Sequence, residues 1–275
     1  MTERGTSDSG RESREERSRR ISELLAKLDA GQHSRTPGDQ VVWEYLSRPA
    51  RGPRPTLTHD QIAAAAVEIA DADGLEAVTM RRLAGRLDVA TMGLYRYVRN
   101  KDDIFSLMLN ATAREVALPE PGTAGWRDTL RRIAQEMRAG HLRHPWLARL
   151  QASMAAMVAP NVLAVLEAGL AALDAVDLDL DVDQMLAAFT ALTAYVQGKA
   201  AAELAQREAY HRYGWSSDDD MRAAAGPRLL WLLNRGDYPT LAHYIVDGSN
   251  QDDTEWSFAF GLECVLDGIA ARLGL

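Results

Sequence analysis

The stretch from Leu57 to Val116 constrains the fold of this chain more than any other. It carries three short amphipathic helical patterns in succession, then the start of a fourth. Thr58 with Gln61 three residues on has the form of a capping box, which fixes where the first helix begins. Its apolar face is Ile62, Ala65, Ala66, Ile69 and Ala70, and Gly74 ends it. Thr79 caps a second helix that is expected to bury Met80, Leu83, Ala84 and Leu87. Asp88 falls at a turn where a left-handed backbone is common and Asp is tolerated. A third helix is expected from Thr91 to Val98, with Leu94 and Val98 inward. A fourth starts near Lys101 and stops before Pro119. A packed scaffold helix, a sharp turn and a short polar, aromatic helix sized for the major groove make a helix-turn-helix, so the partner this layout predicts is double-stranded DNA.

The rest of the chain is read as helical throughout, with no strand pattern and no internal repeat. Residues 1–12 are polar and too poor in apolar groups to fold alone. Residues 13–30 place Ile21, Leu24, Leu25 and Leu28 at helical spacing, and Gly31 follows. Residues 31–56 read as a linker, and 48–55 is basic and stiffened by prolines. Beyond Pro119, Trp126 to His144 reads as one amphipathic helix, and Pro145 and Pro160 mark further starts. Val182 to about Arg207 reads as a long apolar helix, Gly214 to Asp220 as a loop, Arg228–Leu233 and Pro239–Val246 as shorter helices, and Thr254 to Leu273 as the last. The fold class is therefore all-α, with boundaries at 1–55 (extension), 56–101 (helix-turn-helix head) and 102–275 (a larger helical body).

The formal net charge of -8 argues against nucleic acid until its distribution is considered. Residues 1–101 hold 17 Lys and Arg against 15 Asp and Glu, and the remainder holds 14 against 24. An acidic body with a mildly basic head suits a protein that touches DNA at one end. A single cysteine, Cys264, excludes a disulfide framework and a cysteine-rich zinc site. No run reaches the roughly 18 apolar residues that span a bilayer, so no membrane partner is expected. The N-terminus has no apolar h-region, so the protein is expected in the cytoplasm. No G-x-S-x-G, phosphate-binding loop or H-E-x-x-H is present, so no enzyme activity and no cofactor are expected.

The segment 57–116 closely resembles the reading head of the TetR family of bacterial transcriptional regulators. The marks are TMRRLAGRLDVATMGLYRYVRNKDDIF over 79–105, above all Leu94-Tyr95, Val98 and Asn100-Lys101. The body from Trp126 to about Leu204 more weakly resembles the ligand domain of the tetracycline repressor branch. The resemblance implies an all-helical homodimer whose heads each enter one major groove of a palindromic operator, with a body that binds a small-molecule effector that pushes them out of register. By motif position it implies DNA contacts from Thr79, Arg81, Thr91, Met92, Gly93, Tyr95, Tyr97 and Lys101. Gly93 lacks the hydroxyl usual there, and Met92 offers only apolar contact, so the family's operator sequence does not transfer. The matching positions of the metal–tetracycline site are Ile133 and Gly169, which cannot coordinate, so a different effector is expected.

Four readings stay open on the residues alone. Tyr95 and Tyr97 cannot share a helix face, and Tyr95 is the stronger contact candidate. Arg51 and Arg54, with Arg48, form an arm for the minor groove or a plain tether. His141 and His144 lie three apart, a spacing that permits metal but lacks a third ligand, and His144-Pro145 also suits a helix end. Met137, His141, Trp146, Gln151, Met154, Phe189 and Tyr195 are candidates to line an adaptable apolar pocket, although such residue types are more often core. An alternative reading of the whole chain is a helical small-molecule-binding protein with little DNA-binding activity.

Overall fold

The structure is a computed structural model that describes residues 14–31, 43, 57–120, 122–150, 159–176, 178 and 180–275. The arm residues Arg48, Arg51 and Arg54, and the pocket candidates Gln151 and Met154, lie outside the described residues. The extension, residues 1–54, is a unit of its own and contains helix α1, Arg14–Gly31, on which Ile21, Leu24 and Leu25 are exposed.

The second unit, residues 55–275, begins with the head. Helix α2 spans His59–Asp73, α3 Met80–Arg86, α4 Thr91–Leu94 and α5 Lys101–Ala113. The Thr58 hydroxyl accepts from Gln61 N at 3.1 Å, and Thr58 N donates back to the Gln61 side chain at 2.8 Å. This reciprocal cap fixes the register that turns Ile62, Ala65, Ala66, Ile69 and Ala70 inward. Leu83, Ala84, Leu94 and Val98 complete a core joined by Ile104 and Met108 of α5. Each fully buried branched side chain contributes about 1.5–3 kcal/mol of transfer free energy. Met80 and Leu87 are only half-buried. Asp88 has φ 52°, the left-handed turn between α3 and α4.

The third helix is shorter than its sequence pattern. Regular α geometry stops at Leu94, and the chain tightens through Tyr97 N to Leu94 O at 2.9 Å. The end is held from two sides: the Tyr97 carbonyl accepts from His59 Nε2, 38 residues earlier, at 3.2 Å, and Asn100 is extended and caps α5 by accepting from Asp103 N at 2.9 Å.

The body follows as α6 (Trp126–Arg143), α7 (Leu147–Leu150), α8 (Pro160–Asp174), α9 (Val182–Tyr213), α10 (Asp218–Leu233), α11 (Pro239–Asp247) and α12 (Thr254–Leu273). Helix α6 packs on α8 and α9, and α9 on α12. Leu130, Ile133, Leu173, Leu192, Leu262 and Leu266 are at its centre, each at most 2% exposed. Helix α9 runs past Arg207 to Tyr213, where Gly214 closes it in the left-handed conformation that lacks a Cβ penalty. Helix α10 starts at Asp218, well before Arg228, because Ser217 and Asp220 form a second capping box. Pro227 lies inside it, on an exposed helix where water can satisfy the carbonyl that proline leaves unpaired.

Candidate DNA interface and effector cavity

On the head, the side chains proposed to meet DNA separate into exposed and anchoring groups. Met92 is 77% exposed and Tyr95 46%. Tyr97 is half-buried, its ring edge-on to His59 with centroids 6.0 Å apart. Burial at this contact pushes the His59 pKa below its usual value, so its ring favours the neutral form that packs there. The Thr79 hydroxyl accepts from Arg82 N at 3.2 Å and so caps α3, which leaves Arg81 exposed at the start of that helix. Thr91 and Gly93 are half-buried at the start of α4.

Lys101 occupies the first turn of α5, where a cation meets the positive end of the helix dipole. Asp102 and Asp103 share that turn, the Lys101 Nζ is 4.0 Å from Glu76, and it lies 5.2 Å from the Phe105 ring centroid. The helix dipole disfavours a cation at this position, whereas an anionic phosphate there would be favoured by the dipole and by the lysine together.

In the body a cavity of about 370 Å³ opens between α5, α6, α8 and α9. It brings together three of the sequence candidates, Met137, His141 and Phe189, with Val162, Leu166 and Leu186. Burial lowers the His141 pKa. Gly169 shows why the polar position of the resemblance is absent: a Cβ there would stand 2.3 Å from the Phe189 ring. Ile133, the other matching position, is fully buried core.

Trp146 and Tyr195 do not line this cavity. Tyr195 lies against α12, where its hydroxyl donates to Phe258 O at 2.8 Å and its ring stacks on Phe258 at 5.7 Å. Trp146 belongs to a joint between head and body. Its Nε1 donates to Asp71 Oδ1 at 2.7 Å, on the last turn of α2. His144, buried at the C-terminal end of α6, has Nδ1 2.8 Å from the same Asp71 oxygen and Nε2 3.3 Å from Glu115 Oε2. Arg143 also bonds Glu115, and Arg149 donates to Glu76 at 2.6 Å. Glu115, Arg143 and Leu147 are cavity wall as well. The joint therefore shares residues with the cavity on one side and grips the head's first helix on the other. The sequence offered no signal for it except the His-Pro-Trp run at a helix end.

A second buried polar cluster ties the body to itself. Arg138 donates to both carboxylate oxygens of Glu203, at 2.9 and 3.0 Å, and to Glu255 at 2.7 Å. Its guanidinium sits 4.5 Å from the Phe258 ring centroid. Burial opposes its charge, but the bonds it donates to Glu255 and Glu203 outweigh that and raise its pKa. Nearer the surface, bonds from Arg131 and then Arg127 hold the Glu263 carboxyl down to about 2. Among the described residues no group of three or more His, Cys, Asp or Glu is placed to hold a metal ion, and no helix is long and apolar enough to cross a membrane.

The family model for the C-terminal domain of tetracycline repressor-like proteins matches residues 118–273, over half the chain, and that for bacterial regulatory proteins of the tetR family matches 62–108. This chain belongs to the TetR family. It is a helix-turn-helix transcriptional regulator. The transcriptional repressor DrrR1 of Streptomyces coeruleorubidus is 37% identical over 231 residues, covering 84% of this chain and 83% of that protein. A transcriptional regulator of Saccharopolyspora erythraea is 35% identical over 253 residues, covering 92% of this chain and 100% of its own length. The solved structure of the Streptomyces coelicolor TetR family protein ActR in complex with actinorhodin superposes with a TM-score of 0.65 at 27% identity, covering 80% of this chain and 98% of that one.

Proposed function

We propose that this chain is a homodimeric repressor that leaves a palindromic operator when a bulky apolar or aromatic molecule enters the cavity between α5, α6, α8 and α9. The observation that carries the reading is the joint. Glu115 contributes to the cavity wall and approaches His144, and His144 shares Asp71 of the head helix with Trp146. A ligand that displaces the Glu115–Arg143 edge alters what holds α2, so it binds the two head positions with different free energy, as induction requires. Sequence-specific contact falls to Tyr95, Met92 and Arg81, and phosphate contact to Lys101. ActR, a relative of the same fold, holds actinorhodin in its crystal structure, which supports a ligand-binding body here.

The dimer uses α9 and α12. These helices pack on each other, and α12 leaves Trp256 and Phe260 exposed and stacked at 5.2 Å. Gly198 of α9 is exposed and faces open space. Paired with their counterparts, two such helices form a four-helix bundle. Gly198→Trp should leave the monomer's helical signal intact, convert the dimer to monomer in light scattering, and abolish binding to the gene's upstream DNA in a gel shift. A monomeric wild type at micromolar concentration, or a dimeric variant that still binds DNA, contradicts the reading.

A further inference from the structure

The cavity wall has a charge imbalance that says which kind of effector it takes. Three of its side chains are ordinarily ionised: Glu115, Glu136 and Arg143. Arg143 and Glu115 bond each other, and Glu115 also meets His144. Glu136 forms no ion pair or side-chain hydrogen bond among the described residues. The wall's hydroxyls are turned away into their own helices: Thr112 donates to Met108 O at 3.1 Å, Thr190 to Leu186 O at 2.8 Å and Thr193 to Thr190 O at 3.0 Å. His141 is pushed toward its neutral form by burial and does not offset the acid.

The surroundings of Glu136 leave room for a partner. It lies half-buried on α6, with Gly140 one turn on, where an added Cβ would meet nothing within 4 Å. Val162, Leu166, Leu186 and Phe189 supply apolar lining of the same cavity. A neutral ligand that covered Glu136 would strip water from a carboxylate and return at most an uncharged hydrogen bond, about half as strong as one that carries opposite charge, and an anionic one would add repulsion. A protonated amine returns both charge and donor. Taking the cavity as the effector site, we infer that the effector is an apolar molecule bearing a protonated amine that seats against Glu136.

Three dansyl probes of one length test this on the full chain: dansylcadaverine (a cation), its N-acetyl derivative (neutral) and dansyl-6-aminohexanoate (an anion). Binding is read by dansyl emission, which rises in an apolar site. The cation should bind about tenfold more tightly than the neutral probe, and the anion most weakly. In Glu136→Gln, with its melting profile checked, the cation-to-neutral ratio should fall to about one. Equal affinity for cation and neutral probe in the wild type overturns the inference and leaves the apolar cavity standing. A ratio that survives Glu136→Gln does the same. If none of the three probes binds, the effector-site reading falls, and this inference with it.

Discussion

The two buried polar clusters of this molecule look alike in composition and differ in how tightly they are held. In the body, Arg138 and Glu203 are 8% and 7% exposed, bonded in a planar two-point geometry, and backed by the Phe258 ring. At the joint, His144 is 4% exposed, but the carboxylates it meets, Asp71 and Glu115, are 34% and 40% exposed. Water can take over for either carboxylate if the joint opens, whereas nothing can take over inside the clamp. The difference teaches where this fold is stiff and where it can move. Charge out of water locks α6 to α9, with Glu255 of α12 reaching the same guanidinium from the solvent side, whereas charge half in water makes the joint the cheaper place for the head to shift on the body.

The comparison breaks first at the clamp. Arg138→Leu strands the buried Glu203 carboxylate and should cost about 3–5 kcal/mol in urea unfolding; a loss under about 1 kcal/mol would mean that Glu203 is as well solvated as the joint. A head variant sharpens it next. Lys101→Ala should weaken operator binding about tenfold and lower the salt slope by about one, with the effector's relative effect on binding unchanged. An unchanged slope removes Lys101 from the phosphate contacts.

The joint itself should respond more mildly in stability and more sharply in regulation. Trp146→Phe deletes one hydrogen bond to Asp71 and should cost about 1 kcal/mol, while shrinking the difference in operator affinity between effector-free and effector-bound protein. Full induction in Trp146→Phe would make the joint a passive contact. The smallest effect concerns acidity. The folded state lowers the pKa of His141 by burial, so its contribution to stability is complete above the usual histidine range near 6.5 and is lost as pH falls below it. The melting temperature should therefore drop between pH 7 and pH 5, and drop less in His141→Gln. Parallel pH curves for the two proteins would take His141 out of the account.

The parts legible in the sequence are those set by neighbours a few residues away. The Thr58 and Thr79 caps, the left-handed turn at Asp88, the apolar faces of α2 and α6 and the bounds of α12 all follow from local spacing. The joint was not legible, because Asp71 and His144 are 73 residues apart and neither has an unusual local context. Two of the aromatics that residue type put forward for a pocket lie away from this cavity. The cavity side of α9 carries Leu186, Phe189, Thr190, Thr193 and Gln197. At about 100° per residue, Tyr195 points well away from Thr193 and onto α12. Trp146 is apolar in body but has one donor to satisfy, and Asp71 satisfies it.

The close approach of Gly169 to Phe189 has a consequence for descent. A methyl group at 169 would collide with the aromatic ring, and a smaller residue at 189 alone would open a hole beside a bare backbone. Neither position can change by itself without loss, so the two should be energetically coupled, as a double-mutant cycle over 169 and 189 would read. If the cavity is the effector site, its lining can change in single steps at Glu136, Leu186 or Val162, whereas a polar side chain at 169 demands a simultaneous exchange across two helices. Ligand preference would then diversify around the ring rather than through it.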